Sequence, residues 1–461
     1  MIYTKEIAIK EEYDVLVAGG GFSGFAAAYA AAREGARVLL VERSASLGGV
    51  GTQGLVNHIL GVRLLSEGNT LVPCVGDVFA ELEKRLIARG GAVDVDTLDL
   101  DLHPHGWYPS LGTGLVFDCE QMKLILEEML FEVGVKILYM TDILDALYEG
   151  DRVSALVLHN KSGLFAVGGY YFVDATGDAD LCTSLGLPMQ KGDEDGGMAA
   201  ASLEMHVENV DSAALFAYMK ETGDLRFRTI IERLRTEGKW SFPYDIFISV
   251  KMPREGVYMI NTIRQVGVDG TDGDSLSRAV IDGRAENFAL LAVMRAHFPG
   301  FSQATVRSIA PTVGIRETNR ITSHYTLSVK DLVEATEFAD GIALSAYGWD
   351  LPNPKKPSHQ PYHGVRRASE FTQIPYRSLI PVGVDNLLVV GRSIGVEREV
   401  LGPVRVMGPC IAMGTAAGIA CTLAAKTGAA CANVDVTDLR ARLIDYGGYV
   451  DRAQCERKKD V

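Results

Sequence analysis

The chain has 461 residues, 47% of them hydrophobic and 23% charged, so two lobes are expected, with apolar material enough for both. A formal net charge of -14 excludes the broad basic footprint that nucleic acid requires, while a local arginine cluster for a small anion stays compatible with it. Seven scattered cysteines with no Cys-x-x-Cys pair exclude a disulfide framework, a zinc site and a redox dithiol, and they fit reduced thiols.

Residues 1–12 carry charges of both signs and lack the apolar stretch of a leader, so a cytoplasmic location is the expectation. Residues 13–18 (YDVLVA) are an apolar run ending in three glycines, as a buried parallel strand would. Residues 24–34 are alanine-rich and predict a helix stopped by Gly35, and 37–42 predict a second strand. After a glycine-rich stretch over 47–61, helices are predicted over 77–89 and 119–133 and a strand over 135–139. Three runs, 143–149, 152–160 and 164–168, read as an antiparallel meander; 170–175 reads as a separate strand ending at Thr176-Gly177-Asp178. Beyond Met198 the character changes, with strands predicted over 201–207, 257–266 and 342–349, a long helix over 275–297 and a proline-rich loop over 351–361. A strand over 386–391 and a small-residue helix over 410–425 complete the pattern. The Gly414-x-x-x-Gly418 spacing suits packed membrane helices or the close approach of a soluble helix; the short, weakly apolar stretch favours the second. The expected fold class is α/β. A Rossmann-type nucleotide-binding domain with a parallel sheet and a β-meander would take 1–197 and 371–461, with an inserted α+β substrate or cap domain over 198–370.

Gly19-Gly20-Gly21-Phe22-Ser23-Gly24 fits G-x-G-x-x-G between a strand and a helix. Gly19 permits the sharp turn, Gly21 lets a pyrophosphate approach the backbone, and Gly24 lets helix and strand pack closely. Phe22 and Ser23 open a helix whose unpaired N–H groups and dipole favour phosphate. Glu42, at the end of the next strand, is placed to accept hydrogen bonds from both ribose hydroxyls. NAD and FAD share this unit, and the motif leaves the two open.

Four further segments bear on that choice: Glu42-Arg43, Leu47-Gly48-Gly49, residues 174–180 (DATGDAD) and residues 391–414, with a weaker fifth at Gly314-Ile315-Arg316-Glu317-Thr318. With them the chain resembles the FAD-dependent oxidoreductases of the glutathione-reductase structural superfamily, and more closely a bacterial family known simply as FAD-dependent oxidoreductases. The resemblance implies FAD as cofactor. It implies that residues 46–52, with Gly48, Gly49 and Thr52, follow the pyrophosphate and ribityl chain, and that Thr176, Gly177 and Asp178 return to the adenine half. It also implies that the segment from Gly391 reaches the flavin. There Gly408, Pro409 and Cys410 open a helix toward N1 and O2, and Arg405 adds positive charge for the reduced ring.

Hydride transfer at flavin N5 needs a base or proton donor for the substrate, so titratable groups near the flavin are the catalytic candidates. His58 follows the glycine-rich stretch; covalent flavin attachment, a noncovalent site role and a plain structural role are all open to it, although its surroundings lack the attachment motif. Arg316 and Arg320 lie four residues apart and suit a carboxylate anchor or an interdomain ion-pair network. The family carries a third arginine where Asn319 stands, which weakens the transfer of roles to that position. His363 belongs to a donor-rich loop over 359–367 that reads as an active-site lid or a solvated loop. Arg377 sits where the chain re-enters the cofactor domain and is a candidate for substrate or flavin contact. No metal motif, P-loop or Gly-x-Ser-x-Gly is present, and no metal is expected. The expected partner is a small polar substrate, with no nucleic acid and no membrane span; a homo-oligomer is compatible with the chain. The competing readings are a flavin-binding component of an assembly for electron transfer or RNA modification and, more remotely, an NAD-dependent dehydrogenase.

Overall fold

The computed structural model describes residues 6–66, 70–95, 113–355, 362 and 364–456. Its centre is a seven-stranded sheet in the order Lys136–Leu138, Val38–Val41, Ile9–Ala18, Gly163–Asp174, Arg152–Asn160, Asp142–Glu149, with Leu387–Val389 also paired to Gly163–Asp174. The first four strands and Leu387–Val389 run parallel. Val15 through Ala18 and Val38 through Val41 are buried throughout, as strands covered on both faces must be. The last two strands of the series form the antiparallel meander.

The runs over 164–168 and 170–175 prove to be one strand, Gly163–Asp174. One of its edges pairs with Ile9–Ala18 along its length. Its other edge changes partner, antiparallel to Arg152–Asn160 through Gly168 and parallel to Leu387–Val389 from Phe172. Gly168-Gly169 looks like a break in the sequence, yet packing demands it: a methyl group at Gly169 would lie 2.5 Å from Leu16 Cδ1. Asn386 stitches the change of partner. Its buried amide accepts from Val153 N at 2.8 Å and donates to the carbonyls of Val153 and Tyr170 at 2.8 Å each.

A second apolar core is built from side chains within 205–304. It lies on a four-stranded antiparallel sheet ordered Ser249–Lys251, Tyr258–Ile260, Met205–Glu208, Thr305–Ile309. The long helix, observed at Gly273–His297, is capped by Asp272, whose side chain accepts from Ser275 N. The strands predicted over 201–207 and 257–266 shorten to Met205–Glu208 and Tyr258–Ile260. Next to them, polar side chains take up backbone groups that a longer ladder would use: Ser202 Oγ bonds the Ile263 carbonyl, and Thr262 Oγ1 serves both N–H and C=O of Ile248. From Leu327 onward, apolar side chains join the first core again.

The small-residue helix, observed at Met407–Thr427, lies against the Phe22–Arg33 helix with backbone touching backbone. A methyl group at Gly414 would sit 2.1 Å from the Ser23 carbonyl oxygen, and one at Gly418 2.2 Å from that of Ala27. The Gly-x-x-x-Gly spacing therefore serves helix contact inside the protein. The helix is long and apolar enough to cross a membrane, with 89% of its most apolar stretch buried within the molecule.

Candidate active site

The glycine turn after the first strand forms a cradle whose members differ in what they exclude. Gly19 has φ +97°, and a methyl group there would lie 2.6 Å from the Ala175 carbonyl oxygen. At Gly24 it would lie 1.9 Å from that of Gly19. Both glycines are required by the fold itself. Gly21 is different: its φ is -63°, which any residue adopts, and nothing lies within 4 Å of the position a methyl group would take. Glycine is kept where the protein leaves open space, which is the property of a ligand cradle.

Glu42 is buried and tightly oriented. One carboxylate oxygen accepts from Gly20 N and the other from Ser44 N, both at 2.7 Å. Arg43 beside it is exposed. Gly48 and Gly49 have positive φ; a methyl group at Gly49 would come within 3.0 Å of Gly21 Cα, so this turn forms the opposite lip of the cradle. The Thr52 hydroxyl, buried behind it, bonds the Leu47 carbonyl.

Both ends of the chain meet beside this cradle. A methyl group at Gly51 would lie 2.5 Å from the Phe22 ring and 3.1 Å from Met407 Sδ. One at Gly391 would lie 2.9 Å from Ser23 Oγ and 3.9 Å from Cys410 Sγ. Gly408 donates its N–H to the Leu60 carbonyl at 3.1 Å, and Pro409 packs beside Gly61. The Thr176-Gly177-Asp178 turn is knitted to the same wall: Ser393 Oγ donates to the Gly177 carbonyl at 2.8 Å, Thr318 Oγ1 to Asp178 at 2.8 Å, and Arg392 pairs with Asp178.

Beside the cradle lies a cluster of charged groups drawn from several segments. Arg316 donates through Nη1 to the Ala200 carbonyl at 2.7 Å and to Ser202 Oγ at 2.8 Å. Arg264 Nη1 reaches Asn261 Oδ1 at 2.9 Å, and Arg405 Nη2 reaches the Asp350 carbonyl at 2.8 Å and its carboxylate at 3.4 Å. Burial, then Arg264 and Arg405, push Arg316 down to about 9. Burial would raise Asp350, but Arg405, Arg316 and the Tyr347 hydroxyl outweigh it and hold the carboxyl below its ordinary range. Glu204 is fully buried, and among the described residues neither of its oxygens has a hydrogen-bond partner; burial pushes it up to about 8 against the pull of Arg316 and Arg264.

The four catalytic candidates fall in different places. Arg316 belongs to the cluster beside the cradle. Arg377 forms a two-point ion pair with Asp340, at 2.9 and 3.1 Å, and lies over the Tyr325 ring; its side chain is half exposed, and these partners belong neither to the cradle nor to the cluster. His58 is buried on a two-residue ladder opposite Val116, tight against Gly114. His363 lies outside the described residues. Part of its loop is described: Val365 accepts from Trp349 Nε1 at 2.9 Å and Arg367 donates to the Tyr347 carbonyl at 3.1 Å, which lays this stretch on the segment carrying Asp350. Arg320 pairs with buried Glu317, and Asn319 donates to the Asp178 carbonyl. Among the described residues no group of His, Cys, Asp or Glu is placed to hold a metal. Sequence reasoning missed Glu204, Arg264 and Asp350. The readable signal was Glu204, a lone carboxylate in the apolar run Ala199-Ala200-Ala201-Ser202-Leu203-Glu204-Met205.

A parallel sheet, a glycine turn opening a helix and an oriented carboxylate at the next strand end define a dinucleotide-binding protein of the Rossmann type. Residues 14–443 match the family described as FAD dependent oxidoreductase. The chain belongs to this family of FAD-dependent enzymes, and its cofactor is FAD. It is similar to thiamine thiazole synthase of Pyrococcus horikoshii, 26% identical over 183 residues, which are 38% of this chain and 61% of that protein. The match thus spans less than two thirds of that relative. Solved structures similar to it include p-nitrophenol 4-monooxygenase PnpA of Pseudomonas putida, at 11% identity and TM-score 0.46, covering 93% of this chain and 84% of the other. A geranylgeranyl bacteriochlorophyll reductase-like protein of Thermoplasma acidophilum has 12% identity and TM-score 0.44, covering 95% and 84%.

Proposed function

We propose that the opening between the two chain ends holds FAD in the manner of glutathione-reductase-type flavoproteins, and that the enzyme oxidises or reduces a small polar molecule. The supporting observation is that a methyl group at Gly51 would meet both Phe22 and Met407 and one at Gly391 both Ser23 and Cys410, so residues nearly four hundred positions apart come together beside the cradle. The open space at Gly21 and the first N–H groups of the Phe22–Arg33 helix receive the pyrophosphate. Glu42 spends one lone pair of each oxygen on Gly20 and Ser44 and keeps the others for the ribose hydroxyls. Gly48, Gly49 and Thr52 pass the cofactor along the opposite lip, and the turn at Thr176, Gly177 and Asp178, fixed by Arg392 and Ser393, closes the wall.

Bound flavin supplies hydride exchange at N5. The protein supplies position and charge. The start of the Met407–Thr427 helix turns its positive dipole end to the pocket, and Arg405, two residues before it, adds a full charge that stabilises an anion there. Reconstitution of the purified protein followed by measurement of released flavin tests the cofactor site; colourless protein that takes up no FAD overturns it. Anaerobic screening of the holoprotein for compounds that bleach the flavin tests the substrate reading.

A further inference from the structure

We infer that Arg264, Arg316 and Arg405 together bind an oxyanionic group of the substrate, a carboxylate or a phosphate, so that the molecule turned over at the flavin site is a small organic anion. This rests on the cofactor site proposed above.

The first argument is adjacency, and it comes along three separate segments. Arg405 lies two residues before Met407, whose Sδ would lie 3.1 Å from a methyl group at Gly51 beside the cradle. Arg316 lies two residues after Gly314, which faces Val50 and exchanges backbone hydrogen bonds with Ser202. Asp350 lies four residues after Ala346, whose N–H bonds the Gly61 carbonyl at 3.3 Å.

The second argument is unused hydrogen-bonding capacity. Among the described residues Arg264 makes four hydrogen bonds, all through Nη1. Arg405 uses only Nη2, and its buried Nε has no partner among the described residues. Elsewhere in this fold some arginines engage their nitrogens more fully, although the buried Nε of Arg33, Arg320 and Arg392 also lacks a partner among the described residues. Arg398 grips Glu317 through two bonds of 2.7 Å, and Arg452 spreads its nitrogens over three carbonyls. Guanidinium N–H groups left without a protein partner stay available to an oxyanion. These side chains are not sealed off: Arg405 and Asp350 keep 12% and 27% of their side-chain surface accessible, and Arg264 and Arg316 are also partly exposed.

Charge is the third argument. Arg226 stands near enough to Arg264 and Asp350 for their charges to act on it, so four guanidinium groups share the neighbourhood with two carboxyls, Asp350 and Glu204. Glu204 forms no ion pair within 4 Å of any of them among the described residues, and burial keeps it protonated near neutral pH. Like charges depress one another here, and an anion seated between the guanidinium groups relieves that repulsion.

The test uses FAD-loaded protein titrated separately with succinate and with inorganic phosphate at constant ionic strength, reading the flavin difference spectrum and the melting temperature. Saturable binding of either is expected, and its weakening by about ten- to hundredfold in Arg316→Gln and in Arg264→Gln. Arg89→Gln, in an exposed ion pair with Glu128, serves as the control and binds as the unmodified protein does. Tighter binding of succinate identifies a carboxylate substrate and tighter binding of phosphate an organophosphate. No saturable response to either anion, or equal affinity in folded cluster variants, overturns the inference. If neither variant folds, Arg405→Gln decides: weaker binding of the anion is expected, and unchanged affinity for both anions overturns the inference. Protein without flavin fails the cofactor reading, whereas yellow protein indifferent to oxyanions fails only this one.

Discussion

Gly21→Ala adds one methyl group to the cradle at a point where nothing lies within 4 Å and the backbone φ is -63°. The apoprotein should therefore lose no more than about 1 kcal/mol, the ordinary difference between glycine and alanine at a helix N-cap. FAD binding should suffer far more, because the methyl group would fill the space proposed above for the pyrophosphate at the helix N–H groups. Displacing the phosphate from two charge-assisted hydrogen bonds costs about 3 kcal/mol, or roughly a hundredfold in Kd. Gly24→Ala is the contrasting variant: its methyl group would lie 1.9 Å from the Gly19 carbonyl oxygen, so the fold itself should lose about 3 kcal/mol or more. Urea unfolding of the apoproteins and quenching of FAD fluorescence on binding separate the two effects. Wild-type FAD affinity in Gly21→Ala, or equal destabilisation of the two apoproteins, would refute the cradle reasoning.

Asn386→Leu removes three buried hydrogen bonds at the point where the Gly163–Asp174 strand changes partner, and should cost about 3 kcal/mol by urea unfolding. Gly414→Val forces apart two helices whose backbones touch; a loss of about 3 kcal/mol with weakened FAD retention is expected from thermal and flavin-release assays. Glu204 titrates at about 8 in the folded protein, above the ordinary 4.5. The folded state thus holds a proton that the unfolded chain releases, and the stability this gives is full below pH 4.5 and lost as pH rises to about 8. Urea midpoints of Glu204→Gln should accordingly gain on those of the unmodified protein between pH 5 and 8; parallel profiles would contradict the assignment.

The nucleotide half of the fold was legible because its signals are local. A glycine turn between an apolar strand and an alanine-rich helix is contained in about thirty residues, and the glycines have steric reasons that hold wherever the motif occurs. The long helix at Gly273–His297 was legible for the same reason, with its Asp272 cap close by. The Gly163–Asp174 strand was not, since Gly168-Gly169 signals a break unless Leu16, a distant neighbour, is known to press against it. Arg264, Arg405, Asp350 and Glu204 are scattered over some two hundred positions; Glu204 stands out in its apolar run and Arg405 by its place before a helix, but nothing local joins them to Arg264 and Asp350. Only the folded chain shows that they share one neighbourhood. Arg377 shows the converse: its position at the re-entry to the cofactor half suggested a ligand contact, while the folded chain gives it Asp340 and the Tyr325 ring as partners.

The meeting of Ser23 with Gly414 and of Ala27 with Gly418 orders events in time as well as space. A ribosome makes the glycine turn and the Phe22–Arg33 helix long before Met407–Thr427, the helix that backs them. Until that late segment emerges, the early helix presents a bare strip of alanine and no rear wall. Competence to retain the yellow prosthetic group thus waits for Met407–Thr427, and a chain that stops before this helix should never gain colour however well its earlier parts have folded.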